Sequence, residues 1–522
     1  MRWTWTTTDL PTGLLTNARR AGSQRTFALV LPRWQTSVVV ASTLAAFFLL
    51  SAALVGQHRA FNSHGWDLAW FDQVIWNTAN GRPFENSFAP WNFLGEHVQP
   101  ILLLYALVYR IHPDVEILLI SQVLIGALAA VPLYLGARKA LASSTAAMFL
   151  VLAFLLARHF HNAMLFDFHP EVMAVMSIFA AFAFLAHGKP YWAAAAMASA
   201  FLLKEDAALL ALGIAWLFWL YGYRRHACVI VAVALVYFVV VTGVLMPHIR
   251  GDAGGPHARW SYLGESGPDI VLGAVAKPLT VTEHLTYDAP VEAIGTLVAS
   301  QAGLPLASPA SLGALPLTVA HLLSLHESES GLQLHYGVLP FALTVVGTTL
   351  AVARLSRTRR VLRLGISPQA TATTLAAAVL TTELVLSVIS GPFGLKFDYN
   401  HFQTSGHSAV VREALDLVPS DVSVAAQSGL LPHLSQRQRV WEFPVAFGAD
   451  YVIIDRKSWW ETHGPWSPEM NYDFAVASLP RTAYCLRFDK DGVQVWQLAG
   501  CLEAISLPAE AGLELGRCEV CR

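Results

Sequence analysis

The stretch VVVASTLAAFFLLSAALV, residues 38–55, carries no charge and only three hydroxyl side chains. A helix crossing a bilayer needs about 20 mostly apolar residues, because no water is there and the backbone must bond within itself. Arg19, Arg20, Arg25 and Arg33 precede the stretch, so the positive-inside rule predicts a cytoplasmic N-terminus. It lies far from Met1 and lacks a small-residue cleavage site, and so reads as a retained anchor rather than a signal peptide.

The rest of the chain repeats the pattern. Hydrophobic residues make up 55% of the 522 and charged ones only 13%, about half the usual share for a soluble domain. So few charges cannot cover a water-facing surface. A net charge of -2 offers no basic footprint for nucleic acid. Further candidate spans are 115–137, 143–157, 172–187, 191–203, 207–221, 228–246, 336–353 and 371–390. The stretch 291–325, broken by Pro305, Pro309 and Pro316, counts as two more. Segment 100–111 is too short to cross and is placed along the surface. The expected total is about eleven spans. This layout puts Arg138, Lys139, Lys189, Arg224, Arg225 and the basic run 354–363 on the side of the N-terminus, with the C-terminus outside.

Composition changes after Gly391. Segments 422–427, 451–455, 483–488 and 493–497 read as strands, and 408–417 as a helix ended by Pro419. The expected organisation is a cytoplasmic segment 1–37, a helical transmembrane domain 38–391 with outer loops 56–114 and 248–290, and an extracytoplasmic α/β domain 392–522. Cys485, Cys501, Cys518 and Cys521 cluster at the C-terminal end and are disulfide candidates in an oxidising compartment. The competing zinc reading has ligand spacing only at Cys518 and Cys521. Cys228, in an apolar segment, reads as a core residue.

On this topology three charged clusters share the outer face: Asp67 with Asp72, Asp167 with His169 and Glu171, and Lys204 with Glu205 and Asp206. His97 joins them. Charges beside a membrane are costly and mark functional sites. Carboxylates, imidazoles and a lysine at one level could supply a general base, a phosphate-binding cation and ligands for a divalent cation such as magnesium or manganese. Each cluster also has a plain explanation: an interfacial helix with solvated acids, a helix start at Pro170, and a polar turn. The histidines 248, 257, 284, 321, 326 and 335 read mostly as ordinary interfacial residues, with Leu334-His335-Tyr336 as a further candidate to line the same cavity.

These residues carry a resemblance. Trp66-Asp67-Leu68, Phe71-Asp72-Gln73, Asn92-Phe93-Leu94-Gly95-Glu96-His97, Phe166-Asp167-Phe168-His169-Pro170-Glu171 and Lys204-Glu205-Asp206 resemble a family of predicted membrane proteins known only as a domain of unknown function. The likeness extends to Leu334-His335-Tyr336, Pro432-His433-Leu434-Ser435 and Asp450-Tyr451-Val452-Ile453-Ile454-Asp455. More distantly, the chain is similar to glycosyltransferases of the GT-C class, such as the protein O-mannosyltransferases and aminoarabinose transferases. That likeness implies a polyprenyl-phosphate sugar donor, membrane lipid as a partner, and an acid of the first outer loop as base. Asp67 is the best match for the acid and Asp72 the second. In a transferase, the clustered Lys204, His97 and His169 would bind the phosphate, and Asp167, Glu171, Glu205 and Asp206 would orient them or hold metal. In place of the adjacent Asp-Glu pair common in that class, this chain has two aspartates five residues apart.

The leading expectation is therefore a membrane glycosyltransferase. A transporter or flippase for a lipid-linked or acidic solute is the alternative, with an anchored binding protein third. Against transport stand the edge position of the acids and the lack of a visible inverted repeat. No Gly-rich Lys-Ser/Thr loop is present, which argues against ATP-driven transport.

Overall fold

The computed structural model describes residues 34–251, 256–458 and 472–499. The described chain is mainly helical, with one five-stranded sheet near the C-terminus. It divides into two compact units. The first holds the described residues up to Ala52, Leu94–Ile101 and Ile120–Phe397; the second holds Ala53–Phe93, Leu102–Leu119 and the described residues from Asp398 onward.

Among the described residues five helices are long and apolar enough to cross a membrane: Trp34–Arg59, Glu116–Leu141, Arg224–Arg250, Val338–Arg363 and Pro368–Ser390. A sixth is possible if the bent pair Ser144–Leu156 and Arg158–Leu165 forms one span. The expectation of about eleven spans is thus not confirmed. Pro170–Ala186, Ala207–Leu220 and Gly267–Ala276 are apolar but shorter. Between 288 and 322 the prolines break the chain into Asp288–Ala299, Leu315–Leu322 and two 3-10 turns. A proline removes a backbone donor and clashes with the preceding turn, so no long helix forms there.

Two details shape the first unit. Where the bent pair breaks at Ala157, two carbonyls lose helical partners. The Nε2 of His161 donates to the Leu155 oxygen at 2.8 Å, and the Ser387 hydroxyl donates to that of Leu156. The bend of 44° is therefore satisfied rather than orphaned. Gly213 lies so close to the Gly313 carbonyl that an added Cβ would come within 2.1 Å of its oxygen, so only glycine fits this approach.

In the second unit strands β1 Val424–Ala426, β2 Val440–Glu442, β3 Tyr451–Asp455, β4 Tyr484–Lys490 and β5 Val493–Leu498 form a sheet of order β2-β1-β3-β5-β4. β1 runs parallel to β2 and β3, while β5 is antiparallel to β3 and β4. Side chains alternate between faces. Val424, Ala426, Ile453, Val493 and Val495 pack with Val411 and Ala414 of the helix Gly406–Leu415. Ala425, Val452, Ile454 and Trp496 pack on the other side with Phe443 and Tyr472. Ser405 caps that helix through a reciprocal bond with Ser408. β2, which the sequence reading missed, has only three residues, too few for a periodic signal.

Candidate functional site

Most of the loop expected after the first span, up to Phe93 and again from Leu102, belongs to the second unit, while Leu94–Ile101 belongs to the first. Gly65–Ala69 forms a π-helical turn that runs into the helix Trp70–Ala79. Gly65 packs closely there: an added Cβ would push on Leu431 Cδ1 at 2.6 Å, and its N–H donates to Ser428 Oγ at 2.9 Å. Trp66 donates its indole N–H to Glu442.

The two aspartates of this segment part company. Five residues of helix turn the chain through about 500°, so their side chains leave it about 140° apart. Asp67 is partly exposed. Asp72 is fully buried and accepts from Ser435 Oγ at 2.6 Å, the Tyr109 hydroxyl at 2.7 Å and Gln436 Nε2 at 3.2 Å. Burial pushes its carboxyl up to about 6, and the three donors oppose that rise. All three donors are neutral. Asp72 therefore ties the α/β domain to the segments around Trp70 and Tyr109 within this unit, and no solvent reaches it.

The other charged residues gather in the first unit. Lys204 Nζ lies 2.7 Å from Glu171 Oε1, with side-chain exposures of 15% and 7%, so the pair is largely dehydrated. Gln99 Nε2 approaches the second Glu171 oxygen at 3.4 Å, and His335 Nε2 stands 3.6 Å from Oε1. His335 stacks on His169 with ring centres 3.7 Å apart, and Phe166 stacks on both. Burial works against the charge on Glu171, but the Lys204 ammonium outweighs it and holds the carboxyl below its ordinary range. At the next position, Glu205 accepts from His97 Nδ1 at 2.9 Å and from the Val98 N–H at 3.0 Å. Asp206 is raised to about 6, by burial first, with Glu205 and Glu171 adding to the rise against the pull of Lys204.

The cluster depends on Gln122. Its Oε1 accepts the His169 N–H at 2.6 Å, and its Nε2 donates to the Asp167 carbonyl at 2.9 Å. Asp167 sits at φ 43, a left-handed conformation that aspartate tolerates better than most residues. This turn aims His169 and Glu171 towards Lys204. His169 Nδ1 donates to the Phe166 carbonyl at 3.0 Å.

Of the site residues expected from sequence, the first unit therefore brings together His97, His169, Glu171, Lys204 and Glu205, with Asp206 alongside, while Asp67 and Asp72 belong to the second. Reasoning from sequence missed Gln99, Gln122 and a second charged group. In that group Glu329 accepts from His321 Nδ1, Ser324 Oγ and Arg259, each at 2.9 Å, and Arg259 also reaches the Tyr336 hydroxyl at 3.0 Å. His321, taken for an interfacial residue, is buried. Its partner lies eight positions on, a spacing that signals nothing outside a regular helix. Cys485 is buried on β4; Cys501, Cys518 and Cys521 lie outside the described residues.

Long apolar helices, a sheet domain and charges buried at helix ends define a multi-spanning membrane protein. The family model described as predicted membrane protein (DUF2079) matches residues 57–470, and the chain belongs to that family. No curated protein matches it. Among solved structures it is similar to ArnT from Cupriavidus metallidurans in the apo state, with 13% identity over 88% of this chain and 97% of that one and a TM-score of 0.46. The same protein bound to undecaprenyl phosphate gives 12% identity, coverage of 89% and 98%, and a TM-score of 0.47. The archaeal oligosaccharyltransferase AglB from Archaeoglobus fulgidus, in complex with an inhibitory peptide and a dolichol-phosphate, gives 12%, 91%, 75% and 0.41. Superpositions this loose, at such identities, say nothing of the chemistry of this chain.

Proposed function

We propose that the protein is a membrane glycosyltransferase of GT-C type that takes a sugar from a polyprenyl-phosphate donor at the outer face of the plasma membrane. The observation that carries the reading is the contrast between the two aspartates. Asp67, in the motif that resembles the class, meets solvent, whereas Asp72 is sealed under three donors.

In this reaction the acceptor hydroxyl loses its proton to Asp67 as its oxygen bonds to the anomeric carbon. The bond from that carbon to the phosphate oxygen breaks, and the polyprenyl phosphate leaves with the electron pair. In the first unit, and independently of Asp67, Lys204, His97 and His169 are the groups assigned to phosphate. Glu171 and Glu205 do not suit a divalent cation, because Lys204 and His97 already take up their carboxylates; no step is assigned to magnesium or manganese.

Membranes carrying Asp67→Asn should lose transfer from polyprenyl-phosphate sugars at unchanged protein abundance, while Asp72→Asn should keep transfer per folded molecule. Full activity in Asp67→Asn would remove the mechanism. One observation favours the transporter reading: Glu383 lies fully buried within the last spanning helix, where an acid often marks a pathway. That reading takes over if Glu383→Gln stops movement of a lipid-linked sugar across vesicles while Asp67→Asn leaves it intact.

A further inference from the structure

At the C-terminal end of the first spanning helix, within the second unit, lies a recess of about 500 Å³ lined by His58, Arg59, Glu116, Thr404, Arg412 and His433. None of these residues takes part in the proposed transfer. His433 forms one wall, stacked on His58 with ring centres 4.1 Å apart and donating from Nε2 to the His58 carbonyl at 3.0 Å. Burial, then the neighbouring His58, hold His433 well below the usual imidazole range, so this wall is neutral.

The charge comes from two arginines. Arg59 grips Glu116 through Nε at 2.6 Å and one terminal nitrogen at 2.7 Å, which leaves its other terminal nitrogen uncommitted. Arg412 lies over the Phe61 ring at 5.8 Å and gives one N–H to the Arg59 carbonyl at 2.9 Å. Among the described residues Arg412 has no carboxylate partner. Stacking and the carbonyl bond hold its plane in place, so its remaining donors are preorganised. A guanidinium so held suits a tetrahedral oxyanion, which accepts two parallel N–H bonds. The exposed hydroxyl of Thr404 adds a donor at the rim.

We propose that this recess binds a phosphate group, Arg412 and the spare nitrogen of Arg59 donating to its oxygens and Thr404 closing the shell. The group is either the headgroup of an anionic lipid seated at the end of the first span or a soluble phosphate. The inference goes beyond the transferase reading and does not depend on it.

The full-length protein would be studied by native mass spectrometry from nanodiscs containing phosphatidylglycerol and phosphatidylcholine, and by calorimetric titration with inorganic phosphate in detergent. Saturable retention of phosphatidylglycerol over phosphatidylcholine is expected, weakened at least tenfold by Arg412→Gln and by Thr404→Glu. Lys396→Gln, which removes an exposed charge elsewhere, should change nothing. Thr404→Glu breaks no hydrogen bond of the recess, so it stays informative if Arg412→Gln unfolds, which a melting curve reports. Binding of inorganic phosphate without lipid selectivity, sensitive to the same variants, identifies the soluble source. If neither probe binds saturably, or if Thr404→Glu leaves both unchanged, the proposal is overturned.

Discussion

Glu171 and Asp72 are both buried carboxylates, one in each unit, and the chain accommodates them in opposite ways. Glu171 faces a cation, Lys204, and is held ionised. Asp72 faces three neutral donors, and its carboxyl rises to about 6. A buried charge needs either an opposite charge or enough hydrogen bonds to replace water. The cation leaves an acid with no proton to give or take near neutrality, while the neutral cage leaves one that titrates there. Depth of burial alone therefore does not reveal the protonation behaviour of an acid; the charge on its partners decides it.

The largest effect that would break this contrast comes from the cation. Lys204→Gln leaves Glu171 charged and dehydrated, and should cost about 3–5 kcal/mol, read as lost thermal stability of the purified protein. Glu171→Gln added to the same chain should restore most of that loss, since both charges are then gone. A double variant no more stable than the single would mean that the two residues do not act as a pair.

Next in size is the dependence on pH, to which Asp72 and Glu171 should contribute with opposite signs. The folded-state pKa of Asp72 lies above its ordinary value of 3.8. The folded second unit then binds more protons than the unfolded chain, and its stability falls as pH rises from about 4 to about 6, by on the order of 3 kcal/mol. Glu171 lies below its ordinary 4.5, so its contribution is present above that pH and lost as the pH falls beneath it. Hydrogen exchange read peptide by peptide separates the units. Asp72→Asn should flatten the slope in the second unit only, and a slope that survives would assign it to another group.

Smaller still is the removal of a single donor. Ser435→Ala strips the shortest bond from Asp72 and should cost roughly 1–3 kcal/mol. It should also raise the pH at which Asp72 ionises, a shift that a purely packing role for Ser435 would not produce.

Much of the architecture can be read along the chain. The stretch 38–55 lies inside the helix Trp34–Arg59, because bilayer thickness dictates an apolar length that few other structures need. The strand read at 451–455 is β3, whose central position buries both faces and leaves an apolar run. The hairpin from β4 to β5 turns at Asp491-Gly492, both with positive φ, a turn chemistry visible in the residues themselves. The span count was less legible. Hydropathy measures apolar content, and segments such as 207–221 have it without the length of a full crossing. The candidate acids were legible as types, since a charged residue in an apolar chain stands out.

What the sequence determined by itself was the class: a membrane chain with a sheet domain after it, and the short list of polar residues able to do chemistry. What tertiary structure alone decided was the state of each. Lys204 meets a partner 33 positions away, and Asp72 takes its shortest bond from a residue 363 positions on. Hydropathy is a property of neighbours in sequence, whereas protonation depends on the field of whatever the folded chain brings within a few ångströms, and no local pattern encodes that.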